Sequence, residues 1–230
     1  MLFKEKFENI VSKIDTYQPK RAWVFAIIFS VFIFFAASLY LFIWRRPYNL
    51  ASANKALADS SVILIGVSFA LSGLCYFWDF VDTKIIYRKH LGVIGFLFAF
   101  LHIIISVFFL PQNFTFPKWI FENKIAFDFG VLAFIIFLLM ALISNRYSVM
   151  KLGGKKWRLV LRYSGFIAFL AVAAHIFALK YKYWLKWLAD WKSSLPSLSM
   201  IVFVIIIAIF ILRFSLFVAE KKKFKKQNIK

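Results

Sequence analysis

The sequence predicts an all-α membrane protein. It is a six-transmembrane-helix bundle with an N-terminal amphipathic helix and an outer interfacial helix. Three observations carry that expectation. The chain of 230 residues is 63% hydrophobic, whereas a soluble domain is closer to half apolar. Apolar runs of about twenty residues recur along it, each long enough at ~1.5 Å rise per residue to cross a ~30 Å hydrocarbon layer. The basic residues, which raise the net charge to +20, fall between these runs. They therefore fit orientation in the bilayer and contact with anionic lipid, not a nucleic-acid surface.

The elements follow in order. Phe3, Phe7, Ile10, Val11 and Ile14 recur at helical spacing, with Lys4, Glu5, Glu8 and Lys13 elsewhere on the wheel. Residues 1–21 thus form a cytoplasmic amphipathic segment lying on the membrane surface. They are too long and too mixed in charge for a signal-peptide start, and the next run lacks a small-residue cleavage site. The spans are 22–44, 60–80, 91–110, 127–144, 159–179 and 199–218; Ser60, Ser61, Ser68 and Ser72 dilute the second. Together 22–218 make one membrane domain, followed by a basic cytoplasmic tail, 219–230.

Orientation comes from the loops. Those on one side (1–21, 81–90, 145–158, 219–230) hold 19 of the 30 Lys and Arg residues, against nine in 45–59, 111–126 and 180–198. Both termini are therefore expected in the cytoplasm. In the last outer loop, KYKYWLKWLADWKSSLP, Trp184, Trp187 and Trp191 share one helical face, which predicts an interfacial aromatic helix. The lone Cys75 allows no intramolecular disulfide. Gly-rich phosphate loops, Cys pairs, HExxH and nucleophile elbows are all missing from the sequence, and no stretch of soluble length remains for a nucleotide-binding domain.

Two histidines lie inside spans, His102 in the third and His175 in the fifth. An ionisable residue at membrane depth is a functional candidate by default. Counting from the predicted inner ends, His102 is ~17 Å and His175 ~24 Å into the membrane, an offset that tilt absorbs. Two imidazoles at similar depth suit a six-coordinate haem iron, one to each face. Gly92, Gly95 and Ala99 lead to His102; Ser164, Gly165, Ala168 and Ala171 lead to His175. Small side chains leave a slot for a flat macrocycle, or simply let helices pack. His90, in a basic loop at the inner interface, is a subsidiary candidate for iron.

The segment Arg88-Lys89-His90-Leu91-Gly92 followed by Leu101-His102, and Ile143-Ser144-Asn145, Leu152-Gly153 and Trp157 followed by His175, resemble the ferric reductase-like transmembrane domain family. Among its bacterial members is the haem-binding membrane subunit that feeds a periplasmic methionine sulfoxide reductase. The resemblance covers roughly residues 55–215. It implies b-type haem in a six-helix bundle, with His102 and His175 at the family's outer ligand positions. Thirteen residues before His175, where the family has another histidine, this chain has Arg162. The register of the family's inner third-helix ligand falls near Arg88, not His90. Guanidinium has no lone pair for iron, but it pairs well with a propionate or phosphate.

The expectation is therefore an electron-transfer subunit of the bacterial inner membrane, carrying one haem b. A cytoplasmic flavin reductase or a membrane quinol would be the donor. A periplasmic partner such as a methionine sulfoxide reductase, or ferric iron, would be the acceptor. Arg88, Lys89 and Arg162 would serve an FMN or quinone on the inner side. The rival is a small transporter or channel subunit using the histidines as proton or metal relay. Against it, no inverted repeat is visible and no acidic residue lies deep in a predicted span, Asp128 being near an end. A third possibility is an assembly factor that docks through its basic face and aromatic helix.

Overall fold

The computed structural model describes residues 19–44, 47–114, 117–190 and 195–227; the amphipathic segment predicted at 3–14 lies outside them. The elements are α1 (Pro19–Trp44), α2 (Leu50–Phe77), a 3-10 segment (Asp79–Ile86), α3 (Tyr87–Ile104), α4 (Lys118–Glu122), α5 (Lys124–Ile143), α6 (Arg146–Leu152), α7 (Gly154–Ala189) and α8 (Leu198–Gln227). The last turn of α3 widens into a π-helical turn, Ile105–Phe109. Among the described residues six helices are long and apolar enough to span a membrane, and they correspond to the six predicted runs. "Inner" and "outer" below follow the sides set by the lysine and arginine asymmetry.

α2 starts ten residues before its apolar run because Asn49 caps it, the side chain accepting from Ser52 N at 3.0 Å. Its serines do not weaken the span; Ser60, Ser61 and Ser68 are buried against neighbours. α2 is the central helix, in contact with α1, α3 and α8, while α5 lies along α7. Gly95 lets α3 close on α2: a Cβ there would come within 2.7 Å of Ile65 Cγ1 and 3.1 Å of Ser61 O. That glycine is a helix-packing device, not part of a cofactor slot.

The outer aromatic segment differs from its expectation. Nothing in it breaks a helix, so α7 runs unbroken from Gly154 to Ala189, and Trp184 belongs to the outer end of the fifth span. Its ring is buried against Phe203, with centroids 4.9 Å apart. Its indole N–H donates to Ser197 Oγ at 3.2 Å. Trp184 is a bundle-core residue rather than a lipid-belt residue; Trp191 lies outside the described residues. α8 likewise continues into the predicted tail, as far as Gln227.

The inner loop between α5 and α7 shows what the motif residues build. Asn145 caps α6, accepting from Ser148 N at 2.9 Å. Gly153 turns the chain at φ 74, a conformation that side chains with a Cβ adopt at a cost. Trp157 then donates its indole N–H to Ile143 O at 2.8 Å, tying the start of α7 to the end of α5.

Candidate functional site

Predicted site residues line a cavity on each side of the bundle. The outer one, about 440 Å³, lies between α3 and α7, with α2 and α5 closing its sides. His102 and His175 both line it, together with Asp59, Ser61, Phe134 and Trp119. The pairing of the two histidines across one space is thus present in the structure.

Each ring is held in the same way. His102 Nδ1 lies 3.1 Å from the Asn54 carbonyl oxygen and 3.0 Å from Asn54 Oδ1. Both are acceptors, so Nδ1 carries the proton and donates. Asn54 is in turn fixed: its Nδ2 donates to Ser106 Oγ at 2.8 Å, and that hydroxyl donates to His102 O at 2.8 Å. The loop closes on the π-helical turn that follows His102, a kind of distortion that recurs at functional sites. On the other side His175 Nδ1 donates to Ala126 O at 2.7 Å. Gly130 leaves the room, since a Cβ there would sit 2.8 Å from His175 Nδ1. With both Nδ1–H groups committed to α2 and α5, each Nε2 retains its lone pair and has no hydrogen-bond partner among the described residues.

Asp59 overturns the expectation that no acidic residue lies deep in a span. It is 5% exposed, and its Oδ2 has no hydrogen-bond partner among the described residues. Lys55 and Lys180 are within electrostatic reach. The apolar run at 60–80 excluded it by one position because propensity alone does not reveal that α2 begins at Leu50.

The inner cavity, about 310 Å³, is lined by Arg88, Lys89, Arg158, Arg162 and Arg213, with Ser68, Ser72, Ser144 and Trp157 among its polar groups. The predicted trio Arg88, Lys89 and Arg162 is brought together here. Arg213 was legible only as an arginine inside a span, and Arg158 only as a loop charge. Ile65, Phe137 and Phe169 line both cavities, so they form the wall between them.

The structure does not bring His90 to either cavity. Its Nδ1 bonds Ile86 O at 3.0 Å, and its ring meets Trp23 edge-on at 4.6 Å.

A family model described as ferric reductase like transmembrane component matches residues 57–161. That interval runs from the α2 turn carrying Asp59, through His102, to the start of α7. No curated protein matches the sequence. Over residues 57–161 this chain is similar to the ferric reductase-like transmembrane component family, a similarity that suggests electron transfer within a membrane.

Proposed function

We propose that the protein is a haem-b electron-transfer subunit of the bacterial inner membrane, with both termini cytoplasmic. It would hold one haem between His102 and His175. The observation that carries this is the matched tautomer of the two rings. Each imidazole faces one apolar cavity, Nδ1–H anchored on a backbone carbonyl and Nε2 left as the ligating atom. Metal-bound histidines characteristically hold their second nitrogen this way, which fixes ring orientation and raises basicity. The donor set and the apolar walls would suit a haem held by both imidazoles, with Gly130 making room for the His175 ring itself.

A haem iron bound there supplies a one-electron couple. The chain's own residues orient and insulate it. Asn54 and Ala126 orient the imidazoles, and the phenylalanines of the lining exclude water. Ile65, Phe137 and Phe169 keep the inner cavity one side chain away. On the inner side Arg88, Lys89 and Arg162 supply fixed cations for a reduced flavin or quinol, whose source is a cytoplasmic flavin reductase or the membrane quinol pool. On the outer side the acceptor is a periplasmic partner such as a methionine sulfoxide reductase, or ferric iron.

The relay reading gains one observation, the Asp59 carboxylate in the same cavity as the histidines. Against it, both Nδ1–H groups are held by backbone oxygens. No group of three or more His, Cys, Asp or Glu suited to a metal ion occurs among the described residues.

The visible spectrum of the purified protein, with a pyridine haemochrome assay against protein mass, decides between them. One low-spin b haem per chain is expected. His102→Ala and His175→Ala should each abolish it, whereas His90→Ala should leave it nearly unchanged. Bleaching by His90→Ala without bleaching by His175→Ala would overturn the pairing.

A further inference from the structure

One polar group of the outer cavity takes no part in holding the two rings. Asp59 lines that cavity, is buried, and its Oδ2 has no hydrogen-bond partner among the described residues. It lies ~14 Å along α2 from the helix's outer end and ~7.5 Å deeper than Asn54, the group that holds His102. A carboxylate charge at that depth is costly unless something positive answers it. The cations within electrostatic reach are Lys55, one turn outward on α2, and Lys180 on α7. Among the described residues neither closes an ion pair with Asp59. Lys55 Nζ lies over the Trp44 ring, 5.1 Å from its centroid, and Lys180 Nζ over the Tyr183 ring at 5.6 Å.

The other titratable groups of the packed helices are committed or remote. The His102 and His175 Nδ1–H groups are held by Asn54 and Ala126, and their Nε2 atoms are those assigned to iron, so neither ring has a place for a further proton. The Lys124–Asp128 pair on α5 and the Lys118–Glu122 pair on α4 are exposed. α1 brings the Tyr40 hydroxyl, which donates to Pro196 O, and Arg213 of α8 faces the inner cavity. A bis-imidazole ferric haem carries one net positive charge on its ring, and the ferrous form carries none. Such an ion is often the largest charge in its site. Reduction therefore removes the positive charge that shares the cavity with Asp59 and leaves the carboxylate to the two lysines.

Building on the haem reading above, we propose that Asp59 is a redox-linked proton site. Its carboxylate takes one proton from water on the outer side, forming the O–H bond of a neutral carboxylic acid. It does so as one electron, lost by the flavin or quinol donor, reduces ferric iron to ferrous. When that electron leaves for the outer acceptor, the O–H bond breaks and the proton returns to the outer side, where Trp119 of α4 lines the same cavity. The acceptor thus receives an electron and a proton from one face.

Spectroelectrochemical titration of the purified, haem-loaded protein in phosphatidylcholine nanodiscs, repeated from acid to alkaline pH, tests it. The midpoint potential should fall as pH rises, by up to ~59 mV per tenfold drop in proton activity, the limit of one proton per electron. Asp59→Asn, neutral at every pH, should keep its Soret band and hold the unmodified protein's acid-limit potential throughout. Asp59→Glu should restore the slope. A slope that survives Asp59→Asn would assign the proton to a haem propionate and overturn the proposal. Carbodiimide labelling of the unmodified protein, read by mass spectrometry, keeps the test open where Asp59→Asn fails to fold. A hydrophobic carbodiimide reacts with protonated carboxyls. Asp59 should therefore be modified on the order of 10-fold faster in dithionite-reduced than in ferricyanide-oxidised protein, one decade of proton binding. The exposed Asp128 and Glu122 serve as internal references. Equal rates at Asp59 in the two states overturn the proposal as well. A purified protein without a Soret band fails the haem reading and this inference with it, whereas a Soret band with a pH-independent potential fails the role of Asp59 alone.

Discussion

At the scale of single residues, the site depends on which oxygen receives each Nδ1–H. Asn54 does this twice for His102, through its backbone and its side chain. Asn54→Ala removes the side-chain acceptor and the Ser106 bond but keeps the carbonyl. The ring should stay in its tautomer and lose its stiffness. Haem affinity should then fall roughly 10- to 100-fold, the usual cost of losing a partner behind a metal ligand. Haem titration into the apoprotein measures this. Gly130 acts by absence. Any larger residue must push His175 away from Ala126 O, so Gly130→Val should lose haem with helix content unchanged by circular dichroism.

At the scale of elements, the loop between α5 and α7 sets where the fifth span starts, and so the depth of His175. Gly153 holds it with a positive φ, and Trp157 pins α7 to the end of α5. At φ 74 and ψ 139 the backbone is in a region that residues with a Cβ rarely enter, at a cost on the order of 1–3 kcal/mol. Gly153→Val should lower thermal stability by about that amount while the haem spectrum of the folded fraction stays normal. A change of spectrum with unchanged stability would mean that the loop tunes the site instead of carrying the helix. The aromatic segment teaches a related lesson. With no breaker between Leu179 and Tyr181, α7 continues outward and buries Trp184 against Phe203.

At the scale of the whole molecule, two adjoining cavities with different chemistry define a direction. Cations line the inner space and histidines the outer one, with Ile65, Phe137 and Phe169 between them. The charge asymmetry predicts that a reporter fused after Lys230 is cytoplasmic and that one inserted near Lys192 is outside. The opposite result at either place reverses the proposed electron flow. Reduction kinetics probe the inner half. Arg162→Gln should leave the haem spectrum intact and slow reduction by a flavin or quinol donor about 10-fold, one charge-assisted contact's worth. Unchanged rates would assign Arg162 to the lipid interface.

What the sequence by itself determined are the quantities carried by neighbours along the chain. Run length specified the six spans, the lysine and arginine asymmetry predicts an orientation that the reporter fusions test, and the rarity of histidine inside spans singled out His102 and His175. Only the tertiary structure decided which groups meet. The oxygens that fix the two histidines lie 48 and 49 residues away in the chain, and no periodicity connects them. Asn54 and Asp59 stood outside a span whose start was set by apolar composition. Gly130 looked like any glycine in an apolar run, and Arg213 like a stray charge. Gly95, read as part of a cofactor slot, instead closes α3 on α2. The physical reason is the same in each case. A helix's hydropathy is a property of its own residues, whereas the partner of a buried polar group is chosen by how the helices pack around it.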